Sequence, residues 1–271
     1  MENSGINKLL DIVKQLRAPS GCPWDMEQTH KSCKIGLIEE SYEAVDAIDK
    51  EDFSLLKEEL GDVLLQVVFH SQIAEENGNF NFDEVCEDIS NKLIVRHPHV
   101  FGDVKVKDTE DVLKNWDKGK KEKKDQSYTD TLKDIPASFP ALMRAAKVGK
   151  RAGNANMDFP DTESALNSLE NEVGEFKSAI KSTDNVIKTD LTGYTDIERI
   201  TEELGDILFS AVNVARKSGI DPEDALNKST NKFISRFEKV EKAVIQDGLD
   251  MKDLDITQLD IYWDKVKRNT D

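Results

Sequence analysis

The sequence is poor in the residues that mark β-rich folds and disulfide-stapled folds. Proline occurs only 7 times in 271 residues, which is too few turn-forming residues for a many-stranded sandwich. The three cysteines, Cys22, Cys33 and Cys86, are odd in number and lack CxxC spacing, so we expect reduced thiols in a cytoplasmic protein. Because hydrophobic residues still make up 38% of the chain, general disorder is excluded and a largely helical protein is expected.

An excess of positive charge and long apolar runs are also missing. Lys and Arg together number 37 against 54 Asp and Glu, which gives a net charge of −17. Such a chain repels a nucleic-acid backbone, so we expect no duplex nucleic-acid partner. The longest apolar run, from Val63 to Phe69, is interrupted by Gln66. It is far shorter than the roughly 20 residues that span a bilayer, so no membrane partner is expected.

The second half of the chain repeats the first. Residues 37–43 align with 169–175, and residues 58–64 align with 202–208. Further matches keep the same order, and pair Asn91, Lys92, Arg96, Trp116 and Lys120 with Asn231, Lys232, Arg236, Trp263 and Lys267. We therefore interpret the chain as two copies of one unit of about 110 to 130 residues.

Composition places the boundaries between the copies. We predict a first repeat over residues 1–120, a charged linker over residues 121–134 and a second repeat over residues 135–271, because the middle segment is polar and has no apolar period. The second repeat also has extra polar residues between Lys181 and Asp196. This indicates a longer connection between its central helices than the first repeat has.

The periodicity within each copy is helical. Apolar residues recur at helical spacing in two stripes, which are Leu56, Leu60, Val63, Val67 and Ile200, Leu204, Ile207, Ala211. A further helix is predicted to start near Pro222, because Asp221 before it is a typical N-cap.

Acidic residues recur in pairs three residues apart. The pairs are Glu40 with Glu43, Glu59 with Asp62, Glu172 with Glu175, and Glu203 with Asp206. One such pair means little in an acidic chain, where a solvated helix face is the ordinary explanation. These pairs occur at the same places in both repeats, and Glu59 and Glu203 lie on the apolar stripes. Two antiparallel helices would present four carboxylates to one point, where a hard divalent cation such as Mg²⁺ offsets their repulsion.

The basic and aromatic residues allow two interpretations. Lys92 with Arg96, and Lys232 with Arg236, are i, i+4 pairs that could bind phosphate oxygens or pair with surface acids. Trp263 could stack on a base or fill a core. The spacing alone leaves both questions open.

Histidine is absent from the second repeat. Because His30, His70, His97 and His99 all lie in the first, a site shared by both repeats cannot depend on them. The segment from Glu27 to His30 has the Glu-x-x-His form of di-iron bundles, but there is no second copy. An iron oxidoreductase is therefore disfavoured.

With these residues in view, the sequence resembles the MazG family of nucleoside triphosphate pyrophosphohydrolases in its two-repeat form. The resemblance covers almost the whole chain. Its most specific segments are residues 21–25 (GCPWD), 28–30 (QTH), 37–43, 57–69, 96–101 (RHPHVF), 134–136 (DIP) and 140–142 (PAL).

The resemblance implies an all-α tandem repeat of four-helix-bundle units that forms a homodimer. It implies hydrolysis of nucleoside triphosphates to the monophosphate and pyrophosphate with Mg²⁺, or Mn²⁺ as a substitute. Broad base specificity and a role in nucleotide-pool control or house-cleaning go with this. The alternative is a non-catalytic nucleotide-binding sensor or regulatory module on the same bundle; a complete set of acids favours the enzyme.

The resemblance also assigns residues to roles. The metal ligands would be Glu40, Glu43, Glu59, Asp62, Glu172, Glu175, Glu203 and Asp206. The second repeat would carry hydrolysis, with Glu172, Glu175, Glu203 and Asp206 as the catalytic set and with Lys232, Arg236, Trp263 and Lys267 as the substrate contacts. Asn171 stands where the first repeat has Glu39, so the second repeat has one acid fewer nearby.

Overall fold

The chain folds into helices. The computed structural model describes residues 5–109, 111–112, 127–182 and 197–268, and no strand occurs in these ranges. By its internal contacts the chain divides into two compact units, residues 1–124 and 125–271. The predicted all-α class is confirmed. Within the same ranges, no helix combines the length and the apolar character needed to cross a bilayer.

The first unit is built around a helical hairpin. Its helices are α1 (Gly5–Arg17), α2 (Pro23–Glu27), α3 (Lys34–Asp49), α4 (Phe53–Glu76), α5 (Phe82–Arg96) and α6 (Pro98–Phe101). Helix α3 packs along α4, and α1 packs on α4. The buried core consists of Val13 from α1 and of Val68, Phe69 and Ile73 from α4.

A tight turn closes the α3–α4 hairpin. Glu51 adopts a left-handed conformation with φ of 54°. Asp52 then caps α4, because its carboxylate accepts hydrogen bonds from the backbone N–H groups of Ser54 and Leu55, each at 3.0 Å. The helices approach closely beyond the turn, since a Cβ on Gly36 would lie 2.9 Å from the Gln66 side chain. The sequence therefore fixes both the turn and the close packing of the two helices.

The second unit repeats this hairpin. Its helices are α7 (Tyr128–Lys133), α8 (Ala141–Gly153), α9 (Thr162–Ser182), α10 (Ile197–Lys217), α11 (Pro222–Gln246) and α12 (Ile256–Arg268), with a 3-10 turn at Met251–Asp253. Helices α9 and α10 form the largest packing contact, and α8 packs on α10. The predicted start of α11 is confirmed: Asp221 accepts hydrogen bonds from the N–H groups of Glu223 and Asp224.

Part of the predicted linker is helical. Ser127 and Asp130 form a reciprocal capping box that starts α7. The prediction of a linker rested on the lack of apolar periodicity and overlooked this capping signal. Ile135, just beyond the predicted linker, is buried. Trp116 and Lys120 lie outside the described residues, as does the segment 183–196 of the predicted long connection.

Many apolar side chains are exposed on the hairpins and on the helices that follow them. Leu60 of α4 is 54% exposed and Leu204 of α10 is 46% exposed. Each predicted apolar stripe therefore lies on a helix, but part of the stripe remains exposed. Further exposed apolar residues on these elements are Leu64, Leu93, Ile94, Leu208, Phe233, Ile234 and Phe237. Among the residues that the structure describes, each unit therefore exposes large apolar surfaces.

Candidate metal centre

The α3–α4 hairpin brings three acidic side chains together. Glu40 and Glu43 lie on one face of α3, and Glu59 faces them from α4. One carboxylate oxygen from each of the three lies within 4.8 Å of the other two. Glu59 is buried, with 8% of its surface exposed, while Glu40 is half-buried and Glu43 exposed. The cluster is thus partly shielded from water and still open on one side.

The α9–α10 hairpin builds the same cluster in the second unit. Glu172 and Glu175 of α9 face Glu203 of α10, again with oxygens within 4.8 Å of one another. The Glu203 side chain is 14% exposed. Two separate hairpins therefore form equivalent three-carboxylate clusters, as expected if the repeat is structural as well as sequential.

The fourth predicted acid of each unit lies outside its three-carboxylate group. Asp62 follows Glu59 by three residues and Asp206 follows Glu203 by three, a rise of about 4.5 Å along the helix. Asp62 is half-buried and Asp206 exposed. Both still act on the clusters through their charge. Burial is the main cause that raises the pKa of Glu40 and of Glu172, and the charges of Asp62 and Asp206, respectively, raise these pKa values further.

Burial and mutual repulsion perturb the clustered carboxylates. Burial raises the pKa of Glu59, and the charges of Glu43 and Asp62 raise it further. The pKa of Glu172 is raised by burial first, then by the charges of Glu175, Asp206 and Glu203. Both effects disfavour the ionised form, so a cation bound among the carboxylates would relieve them.

The second cluster contains a cation that we did not predict from the sequence. Arg199 lies one turn before Glu203 on α10, with its Nε 3.9 Å from the Glu203 Oε1. Its side chain is 58% exposed. Leu55 occupies the equivalent position of the first repeat. The i, i+4 spacing of Arg199 and Glu203 was the signal in the sequence that could have revealed it.

The predicted nucleotide contacts lie on α11 and α12. Lys232 is exposed and Arg236 half-buried on α11, while Trp263 is half-buried and Lys267 exposed on α12. The Trp263 ring packs against Phe233, with centroids 5.1 Å apart and a 40° tilt. Trp263 therefore has a packing role within the chain, and it remains partly exposed.

These basic and aromatic residues and the acidic cluster belong to different helix pairs. Helix α11 packs mainly on α12 and α8, whereas α9 packs mainly on α10. In the first unit, Lys92 and Arg96 lie on α5, which makes only a small contact with α4. Within the described ranges, each hairpin thus groups its acids, and the predicted phosphate-binding cations lie on helices that follow the hairpin.

Comparison with known proteins gives a consistent picture. The family model of the MazG nucleotide pyrophosphohydrolase domain matches residues 28–101 and again residues 161–241. The chain is 41% identical over 269 residues to the nucleoside triphosphate pyrophosphohydrolase/pyrophosphatase MazG of Thermotoga maritima, covering 98% of each chain.

It is also 41% identical over 265 residues to the nucleoside triphosphate pyrophosphohydrolase of Escherichia coli, covering 97% of each chain. The enzyme of that name from Mycolicibacterium smegmatis is 33% identical over 221 residues, which is 80% of this chain and 64% of that protein. The resemblance noted in the sequence is confirmed, and both halves of the alignment include an acidic hairpin. The chain belongs to the MazG family.

Proposed function

We propose that this chain hydrolyses nucleoside triphosphates to nucleoside monophosphates and pyrophosphate. The observation that carries the proposal is the three-carboxylate cluster, built twice by equivalent hairpins in a chain of the MazG family. Relatives that align with nearly its full length are named for this activity. The acids occupy the part of each unit that the family model matches, so the chemistry and the family likeness point to the same residues.

The donor set fits Mg²⁺. Three carboxylate oxygens within 4.8 Å of one another can share one ion after small side-chain rotations, since opposite ligands of Mg²⁺ are about 4.2 Å apart. Glu172, Glu175 and Glu203 would hold the ion in the second unit, and Asp206 would join them directly or through water. When bound, Mg²⁺ neutralises phosphate charge and makes a coordinated water more acidic. Mn²⁺, which also prefers oxygen ligands, is a substitute.

The surrounding side chains would orient the triphosphate. Arg199 is exposed beside the acids and can donate to phosphate oxygens. Lys232, Arg236 and Lys267 supply further positive charge, and Trp263 offers a ring face to the base. A carboxylate of the cluster accepts a proton from the water that attacks the α-phosphorus. The negative charge of the leaving pyrophosphate is then balanced by the same cations.

We assign hydrolysis to the second unit, with broad base specificity and a role in control or cleaning of the nucleotide pool. Arg199 supports the assignment, because the first unit has Leu55 at that position. None of the proposed contacts reads a base edge by hydrogen bonds, which supports broad use of triphosphates. A preference for one base above about a thousandfold would contradict this.

The active form we propose is a homodimer. Leu204, Leu208 and Phe209 are exposed on α10, on the helix that also carries Glu203. A second copy could cover these side chains and bring cations from its own α11 towards the acids, which in one chain belong to another helix pair. Sedimentation equilibrium tests this: a 30.5 kDa species alone, at about micromolar concentration, would contradict it.

Product analysis in ¹⁸O-labelled water tests the reaction. The chain is incubated with each common triphosphate and Mg²⁺, and the products are resolved by mass. Attack at the α-phosphorus gives a monophosphate that carries the label and unlabelled pyrophosphate. Labelled pyrophosphate would mean attack at the β-phosphorus, and diphosphate with phosphate would mean attack at the γ-phosphorus; both overturn the proposal. Glu203→Gln, purified in parallel, controls for contaminating hydrolases.

A nucleotide that binds but is not hydrolysed would favour the sensor instead. The two functions separate cleanly, because a sensor shows Mg²⁺-dependent binding in calorimetry while the triphosphate stays intact over hours. An enzyme turns over under the same conditions.

A further inference from the structure

Two histidines of the first unit meet edge to edge. The Nδ1 atoms of His30 and His70 are 2.8 Å apart, and the ring planes differ by only 2°. Stacked parallel rings need about 3.5 Å between their planes, which a 2.8 Å contact cannot span. The centroids are 5.1 Å apart, which equals the nitrogen–nitrogen distance plus one ring radius on each side. The rings are therefore coplanar, with each Nδ1 pointing directly at the other.

This geometry fits one shared proton. An in-line N–H···N hydrogen bond of 2.8 Å needs one protonated and one unprotonated nitrogen. A metal ion has no room between two nitrogens that face each other at this distance. The other nitrogen of His70, Nε2, is buried and has no hydrogen-bond partner among the described residues. Because a buried N–H without an acceptor is costly, we assign the proton to Nδ1 of His70 and the acceptor role to His30.

We propose that His30 and His70 form a pH-sensitive clamp that holds the segment before α3 against α4. His30 lies in the turn between α2 and α3, and His70 lies in the last third of α4. When both rings carry a proton at Nδ1, two N–H groups face each other and the hydrogen bond becomes a repulsive contact. The segment from residue 29 to residue 33 then loses this tie to α4. Helix α3, which starts at Lys34 and carries Glu40 and Glu43, loses this anchor at its N-terminus.

A charged side chain on α1 holds the start of the segment before α3. Arg17 is ion-paired with Glu76 of α4 at 2.7 Å and donates to the backbone carbonyl of Gln28 at 3.2 Å, while Lys14 lies 3.9 Å from Glu75. Lys31 and Lys34 flank His30 in the sequence and are exposed. Burial is the main cause that lowers the His70 pKa, and among the described residues His30 is the group whose charge lowers it further.

The direction of the pH effect follows from this arrangement. A histidine whose pKa is lowered on folding binds fewer protons in the folded state than in the unfolded chain. Its contribution to stability is complete above the ordinary histidine value of about 6.5 and is lost as the pH falls below it. The clamp is therefore closed at neutral pH and opens in mild acid.

The second unit provides an internal control. The repeat places Thr162 and Val214 where the first unit has His30 and His70, so the clamp has no counterpart there. The segment before α9 is instead tied to α10 by Asp158, which pairs with Arg216 at 2.5 Å and lies 3.5 Å from Lys217. The pKa of Asp158 is lowered to about 2, chiefly by its hydrogen bond with Arg216. This ion pair stays intact throughout the range in which histidine titrates.

Hydrogen–deuterium exchange of the full chain tests the proposal. With the intrinsic exchange rate corrected for pH, protection of residues 28–36 is expected to fall about tenfold between about pH 7.5 and pH 5. Residues 155–165 should change by less than about twofold. The variant His30→Thr/His70→Val, which takes the residues of the second unit, should show no such pH dependence in residues 28–36.

Two outcomes would overturn the clamp. One is a wild-type protection that does not change with pH. The other is an equal pH dependence in the double variant, which would assign the effect to the raised pKa values of Glu40 and Glu59. If the variant does not fold, histidine-selective ¹⁵N spectra of the wild type decide the question. They should show His70 protonated at Nδ1 at neutral pH; two histidines that titrate independently as Nε2–H tautomers would contradict the proposal.

Discussion

The two units of this chain share a hairpin and differ in what surrounds it. In both, two acids on the first helix face a third on the second, with oxygens within 4.8 Å. The first unit anchors its hairpin with the coplanar pair of His30 and His70, and the second uses the ion pair of Asp158 and Arg216. The second unit also has Arg199 beside its acids, where the first has Leu55.

This difference separates the elements that build the cluster from those that adapt it. The acids and the hairpin are sufficient to concentrate negative charge, since both units do so. A permanent cation beside the acids is suited to a phosphate ligand, whereas a titratable anchor is suited to regulation. The roles of the two units can be tested by replacing a residue of one unit with its counterpart from the other unit or with an uncharged isostere.

The largest expected effect separates the two clusters. Glu203→Gln keeps the size of the side chain and removes one ligand charge, so we expect turnover at saturating Mg²⁺ to fall at least about a hundredfold. Glu59→Gln should leave most of the activity and mainly change stability or regulation. Steady-state kinetics on folded, dimeric variants measure both. Glu198→Gln, an exposed acid in the first turn of α10, controls for the loss of charge.

Two results would contradict this assignment. An inactive Glu59→Gln beside an active Glu203→Gln would reverse the roles of the units. If neither change affects turnover, the carboxylate–metal mechanism itself is wrong.

The next effect concerns Arg199. Arg199→Leu introduces the residue of the first unit, and we expect the KM for the triphosphate to rise about tenfold, the equivalent of one charge-assisted hydrogen bond. The kcat should change much less. Without nucleotide, Mg²⁺ should bind slightly more tightly, because a like charge has been removed from the site. An unchanged KM together with tighter metal binding would restrict Arg199 to an electrostatic role.

Most of the fold, but less of the site, could be predicted from the sequence. The repeat and the i, i+3 acid pairs predict the two hairpins, because helical periodicity is a local property. Asp62 and Asp206 lie outside the two three-carboxylate clusters. Which acids meet depends on how the two helices of each hairpin pack, and no local sequence pattern encodes that packing. The meeting of His30 and His70 joins residues 40 positions apart. The absence of histidine from the second repeat indicated that a site common to both repeats does not use histidine. It gave no sign that His30 and His70 are in contact.

A smaller effect is expected from the anchor of the second unit. The pKa of Asp158 is lowered to about 2. Because solvent screens this partly exposed ion pair, we expect its charge to contribute about 1 to 2 kcal/mol to folding at neutral pH. Asp158→Asn should lower the free energy of unfolding of the second unit by this amount. Because the carboxylate pKa is depressed, the contribution is present above about pH 4 and is lost as the pH falls towards 2.

Urea unfolding of both proteins at about pH 7 and pH 2.5 measures the difference. It should be largest at neutral pH and fall to about a third of that value at about pH 2.5. Glu163→Gln, an exposed acid in the first turn of α9, is the matched control. A difference that does not depend on pH would mean that Asp158 acts through packing and not through its charge.

The smallest effect tests how far a helix cap supports the acid cluster. Asp52→Ala removes the acceptor of two backbone hydrogen bonds at the start of α4, and Asp221→Ala does the same for α11. Each should cost about 1 kcal/mol of unfolding free energy. Only α4 carries an acid of the cluster, Glu59, two turns after its cap. We therefore expect Asp52→Ala alone to weaken Mg²⁺ binding by its unit, by no more than about fivefold, since 1 kcal/mol corresponds to that factor. Calorimetric Mg²⁺ titration of both variants measures this, and a larger loss would show that the first turn of α4 positions the acids and does not merely stabilise the helix.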